Sequence, residues 1–269
     1  IIGIYAILIC TQFSSNAVAE NRISAYFSND SVNGLMISDA YETHNMGLII
    51  TLDDYFVSLD LGIVSPDMHV YKNEYRVANR AFGELITFAI GHTGWAKDYL
   101  QHDYYIQLRS SGAFGIDKMQ DFMHRLLNLQ PVNYVNDLVR MPDSNWIGVG
   151  GKFQQSGEDT LTYIDTFGIN YYFGSDRAEL SPFIDNSFSY KDFLVNTEIG
   201  FRAVFFDEIV SAPPISAKHR EFVPYAELGV TFDYLGLEWF IKDQISLPRI
   251  KSDNDIFAVL SAGLTYHFD

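Results

Sequence analysis

The chain has 269 residues, is 48% hydrophobic and carries a formal net charge of −16 at pH 7. One β-barrel domain suffices for that length, since single barrels run to about 200–250 residues. The acidic balance argues against a nucleic-acid partner, whose phosphates select a basic surface. An acidic protein that handles an anionic lipid needs local Lys or Arg, or a bridging divalent cation.

Ile1 to Phe13 is almost wholly apolar and is followed by Ser14-Ser15-Asn16 and Ala17-Val18-Ala19. This is the pattern of a signal-peptide h-region with an A-x-A cleavage site, too short for a membrane helix of roughly 20 residues. Residues 1–19 are therefore expected to be a signal peptide, N-terminally clipped, and residues 20–269 the mature domain. A buried strand is the alternative. Cys10 is the single cysteine, so the mature chain is expected to hold neither a disulfide framework nor a cysteine metal site.

Beyond Ala19 no apolar stretch approaches helical spanning length, yet 17 Tyr and 21 Phe are present, which suits strands with aromatic girdles. Alternation with period two is the main signal. Tyr104, Ile106 and Leu108 oppose Asp103, Tyr105, Gln107 and Arg109, and Phe193, Val195, Ile199, Phe201, Ala203 and Phe205 oppose Asn196, Glu198, Gly200 and Arg202. Similar patterns run through 222–233, 237–244 and 258–268. A soluble sandwich alternates in the same way, but these segments are about 10 residues long, as a tilted membrane strand requires. The closing Gly263-x-x-Tyr266-x-Phe268, with Asp269 after it, is similar to the terminal signal of outer-membrane barrels. Asp165 and Pro224 interrupt the apolar faces of their strands.

Strands are expected at 22–29, 46–53, 55–63, 81–91, 100–110, 146–155, 159–173, 178–190, 193–206, 221–234, 236–247 and 255–268. The resulting fold is all-β: a transmembrane antiparallel up-and-down barrel of about 12 strands, an even number as bacterial barrels have. With both termini in the periplasm, the connections 30–45, 64–80, 111–145, 174–177, 207–220 and 248–254 lie outside the cell. The connection 92–99 is the longest expected internal turn. A short helix is expected in the third external loop, where Met119, Phe122, Met123, Leu126, Leu127 and Leu129 form a stripe across Asp117–Leu129, with Asp117 as a candidate N-cap and Pro131 as a stop.

Several polar groups on these loops stand out. Gln120 and His124 are four apart on the helix, hence on one face. A histidine activates water near neutral pH and an amide orients it, although Asp117-x-x-Gln120 also fits a capping box. Asn29-Asp30 pairs an amide with a hard carboxylate suited to calcium, or simply opens a turn. Lys72, Arg76 and Arg80 gather positive charge that suits lipid phosphates or balances acids such as Glu74. Ser31 and Ser38 leave a serine nucleophile open. P-loop, zinc and dinucleotide motifs are missing from the sequence.

Gly112-Ala-Phe-Gly-Ile-Asp-Lys-Met-Gln120-Asp-Phe-Met-His124-Arg125 resembles the glycine-led run of the outer-membrane lipid A 3'-O-deacylases, the LpxR family. Ser28-Asn29-Asp30, Ser38-Asp39-Ala-Tyr41 through Gly47-Leu48, and Ser65-Pro66 with Arg80-Ala81-Phe82 resemble further segments of that family, over about residues 22–140. The family's Tyr-Thr-x-Gly is drawn out here to Tyr41-Glu42-Thr43-His44-Asn45-Met46-Gly47, and Gln130 stands where the family has an acid.

The resemblance implies hydrolysis of the ester of the 3'-linked acyloxyacyl chain of lipopolysaccharide at the external face of the outer membrane. His124 is then the general base, with Gln120 positioning the water and Asn29 and Lys72 assisting. Asp30 is implied as a calcium ligand, and Arg76 and Arg80 suit the lipid A phosphates. Lipid A and the outer membrane are the implied partners, with neither nucleic acid nor a protein partner. The competing readings are a non-enzymatic porin or adhesin, and a phospholipase with a serine nucleophile.

Overall fold

The structure is a computed structural model and describes residues 21–29, 42–64, 81–97, 100–116, 118, 122, 139–156, 163–211, 218–247, 249, 251 and 256–268. The expected signal peptide lies outside them. The strands are β1 (Asn21–Asn29), β2 (Glu42–Leu52), β3 (Tyr55–Val64), β4 (Ala81–Lys97), β5 (Leu100–Gly112), β6 (Val139–Arg140) and β7 (Ser144–Ser156). They continue as β8 (Tyr163–Gly174), β9 (Arg177–Tyr190), β10 (Phe193–Asp207), β11 (Phe222–Tyr234), β12 (Leu237–Ser246) and β13 (Phe257–Phe268).

All but the two-residue β6 form a closed antiparallel ring of 12 strands, each paired with its neighbours in sequence. The ring closes where β1 pairs with β13, Asn21 opposite Phe268 and Asn29 opposite Leu260. Closure leaves no free edge to template pairing with another chain.

The side chains explain why the sheet curls. In β5 the inward residues Asp103, Tyr105, Gln107 and Arg109 are 2%, 4%, 0% and 1% exposed, whereas Tyr104, Ile106 and Leu108 are 49%, 52% and 52% exposed. Such a wall is apolar outside and polar inside, the arrangement that lipid selects and water does not. No described helix is long and apolar enough to cross a membrane.

Inward rings also lie over glycines of adjacent strands. A Cβ on Gly150 would stand 2.4 Å from the Tyr105 ring, and one on Gly168 2.2 Å from Phe183. Packing an aromatic against a glycine lets the wall bend while the ring keeps its backbone covered.

At one rim the described turns are two-residue hairpins. Asp53, Lys191 and Leu235 have φ of 51°, 56° and 56°, and Gly236 has 74°. Two successive positive φ values at Leu235-Gly236 match a type I′ turn, whose twist suits flanking strands. The connection expected at 92–99 is shorter than that, for β4 runs to Lys97 and β5 starts at Leu100. Strand pairing continues to that point by a register shift between Trp95 and Lys97.

The opposite rim carries the long connections. Ile116, Lys118 and Phe122 are helical, and Asp117, the expected N-cap, lies outside the described residues. A further short helix among the described residues, Glu208–Ser211, follows β10; its first backbone N–H donates to Asp176 O at 2.7 Å. Pro224 is exposed on the outer face, as its parity requires, and its carbonyl accepts from Leu247 N at 3.3 Å.

Candidate functional site

The strand ends that lead into the loops bearing the candidate site residues share one rim. Asn29 is the last residue of β1, and the chain between β1 and β2 bears Asp30. The chain from Val64 to Ala81 bears Lys72, Arg76 and Arg80, and that from Gly112 to Ser144 bears Gln120 and His124. These strand ends all lie at the rim opposite the tight turns, because the strands alternate in direction around the ring. Asp30, Lys72, Arg76, Arg80, Gln120 and His124 themselves, with the side chain of Asn29, lie outside the described residues, as do Ser31, Ser38 and Gln130.

The chain on either side of the Gln120–His124 segment is held by the start of β4. Buried Glu84, 3% exposed, accepts from Gly115 N at 2.8 Å and also from Phe114 N, both through Oε2. Gly115 has a φ of 76°, a left-handed conformation that glycine adopts without steric cost. Ile116, the next residue, is helical and only 4% exposed.

At the other end of the same connection, Val139–Arg140 form β6 and pair in parallel with Ala81–Phe82. Met141 then packs so closely that a Cβ on Gly83 would stand 2.7 Å from its sulfur. Ser111 closes the base, donating to Pro142 O at 2.8 Å and accepting from Ser144 N at 3.0 Å.

Further around this rim the lumen is capped by buried ion pairs that the sequence reading did not single out. Arg109 Nη1 meets Asp176 Oδ2 at 2.5 Å, and Tyr172 Oη donates to Asp176 Oδ1 at 2.8 Å. The Arg177 guanidinium lies 4.6 Å from the centre of the Tyr172 ring, within cation–π range. Arg249 bridges two carboxylates, Asp207 at 2.7 Å and Glu179 at 2.6 Å. Burial pushes the Asp176 carboxyl up, but the guanidiniums of Arg109 and Arg177 outweigh it and hold the group below its ordinary value. The signal available in the sequence was strand parity, which puts Arg109 and Glu179 on polar faces.

The lumen below this cap is filled. Tyr26 donates to Asp60, and Tyr225 Oη donates to Glu198 at 2.6 Å. Lys242 meets Glu227 at 2.9 Å. Phe183, Phe240, Tyr105 and Tyr172 occupy the space between these groups, none more than 4% exposed. Side chains lining an aqueous channel stay accessible to water; these do not.

Among the described residues no group of three or more His, Cys, Asp or Glu is arranged to hold a metal ion. As residue types, an amide at Asn29 and a carboxylate at Asp30 offer the oxygen donors that calcium takes.

No protein-family model and no curated protein sequence matches the chain. Among solved structures it shares its fold with LpxR from Salmonella typhimurium, at 12% identity, over 92% of this chain and 100% of that one, with a TM-score of 0.72. It also aligns with the KdgM porin and the NanC porin, both at 7% identity and over 92% of this chain, covering 99% and 100% of theirs, with TM-scores of 0.47 and 0.48.

Proposed function

We propose that the chain is an outer-membrane lipid A deacylase that hydrolyses the ester of the 3'-linked acyloxyacyl chain, with its site at the external face. The observation that carries this reading is the common rim. The end of β1 and the strand ends that open into the connections after β3 and β5, which bear the proposed site residues, all belong to one side of the barrel. The fold shared with LpxR along the whole of that protein supports the same reading, and the packed lumen argues against a pore.

In this mechanism His124 removes a proton from a water as the oxygen attacks the ester carbonyl carbon. Gln120 orients that water, and Lys72 faces the negative charge that develops on the carbonyl oxygen. The bond between the acyl carbon and the sugar oxygen then breaks. The imidazolium returns its proton to the sugar oxygen, leaving a free 3'-hydroxyl and a fatty acid that loses its remaining acidic proton to bulk water. Asp30 and Asn29 would hold calcium, which when bound supplies positive charge at the oxyanion. Arg76 and Arg80 bind the lipid A phosphates and fix the register of the sugar.

The test is mass spectrometry of lipid A from cells expressing the chain. Loss of the 3'-linked acyl group is expected, with His124→Ala lowering the rate about 10²- to 10⁴-fold. Intact lipid A, or equal deacylation by His124→Ala, overturns the reading. Stepwise conductance in a planar bilayer alongside intact lipid A would instead mark a porin, and labelling by a serine-reactive phosphonate would mark a serine hydrolase.

A further inference from the structure

The residues that hold the third connection come from one short stretch of β4. Ala81 and Phe82 pair with β6, Gly83 receives Met141, and Glu84 takes two backbone N–H groups. Both ends of the connection are thus fastened to four consecutive residues. Those residues directly follow Arg80, which ends the second connection.

Glu84 is the element of this clasp with chemical content. Its carboxylate is buried at the rim, where an unpaired charge is costly and the most economical partners are backbone N–H groups. The N–H groups of Phe114 and Gly115 fill that role, immediately before the helical residue Ile116. An acceptor at the start of a helix fixes both the position of its first turn and its direction. Gln120 and His124 follow on the same run of chain.

We propose that Glu84 is a positioning residue for the deacylation reaction. By anchoring Phe114 and Gly115 to the barrel wall it sets the reach of the segment that carries Gln120 and His124, without itself touching substrate. This rests on the function proposed above. Its effect lies in kcat rather than KM, because it governs the alignment of the water-activating pair and not the grip on the lipid.

The test uses the full chain folded in detergent micelles, with purified lipid A and calcium, and two readouts. Glu84→Ala is expected to lower kcat about 10- to 100-fold, the cost of a misplacement of about 1 Å, with KM unchanged. Glu84→Gln keeps an acceptor oxygen and is expected to retain most of kcat. Independently of turnover, hydrogen–deuterium exchange of peptides covering 113–122 should quicken in Glu84→Ala and stay near wild type in Glu84→Gln.

Unchanged exchange in Glu84→Ala overturns the clasp. Faster exchange with unchanged kcat, or a change confined to KM, overturns the positioning role. If the wild-type chain leaves lipid A intact, the functional reading falls, and exchange alone still decides whether Glu84 anchors the segment. Should Glu84→Ala not assemble, Phe114→Pro removes one of the two donors without altering the barrel wall and is judged by the same two measurements.

Discussion

At one rim the pairs Asp53-Asp54, Lys191-Asp192 and Leu235-Gly236 join β2 to β3, β9 to β10 and β11 to β12. At the other, the chain departs for long excursions, and Arg109, Asp176, Arg249, Asp207 and Glu179 are buried against one another beneath it. At the tight-turn rim two-residue turns set register through φ and ψ, with neutral-donor bonds such as Asp53 N to Asn21 Oδ1 at 3.0 Å beside them. The long-connection rim is held by charge and by hydrogen bonds between residues far apart in sequence. Backbone turns therefore dominate one end and buried charge pairs the other.

Four changes test this division, the largest first. Asp176→Ala leaves Arg109 and Tyr172 without their shared partner in a dry setting, and removing one member of a buried ion pair costs about 3–5 kcal/mol. Thermal or denaturant unfolding in detergent should show it, and a loss no larger than that from a tight-turn substitution breaks the division. Gly236→Ala puts a Cβ where φ is 74°, at a cost of about 1–2 kcal/mol. It should leave lipid A turnover as in wild type, and a fall in turnover would mean the two ends are coupled.

Leu235→Gly relieves a side chain held at φ 56°, so its net effect should be a stabilisation of under about 1 kcal/mol. The smallest effect is one of pH. The Asp176 group sits below its ordinary value in the folded chain, so its contribution to stability is complete above the unfolded carboxyl value of about 3.9. That contribution fades as pH falls from there through the lower folded value. Unfolding temperatures should therefore drop more steeply under acid in the wild type than in Asp176→Asn, and parallel curves would remove Asp176 from the cap.

The walls of the barrel were legible because lipid and lumen impose opposite demands on adjacent residues. Alternation alone located all 12 ring strands. It faded where strands leave the bilayer, so the extension of β2 back through Thr43-His44 and of β4 through Thr93-Gly94-Trp95 went unread. The pair Val139–Arg140 could not be read, since two residues carry no periodicity and β6 exists only because β4 receives it.

Glu84 was equally silent. An acid on an inward face looks like any lumen residue, and its partners are backbone groups about thirty positions away. The cap was half legible: parity sets Arg109 and Glu179 inward, but nothing local pairs Arg249 with both Asp207 and Glu179. The resemblance to the lipid A deacylases lies in short motifs around Asn29-Asp30 and Gln120-His124, and strand periodicity carries none of it.

The seam between β1 and β13 carries a consequence for assembly. Ser24 Oγ and Thr265 Oγ1 stand 2.9 Å apart across it, though nearly the whole polypeptide separates them. Such a pairing is the last that a growing chain can make, and the entropy of closing so long a loop is lost before any contact compensates. Until Phe268 has been synthesised, every apolar stripe must remain shielded from its neighbours. A truncation at the C-terminus should therefore yield an aggregate rather than a smaller barrel.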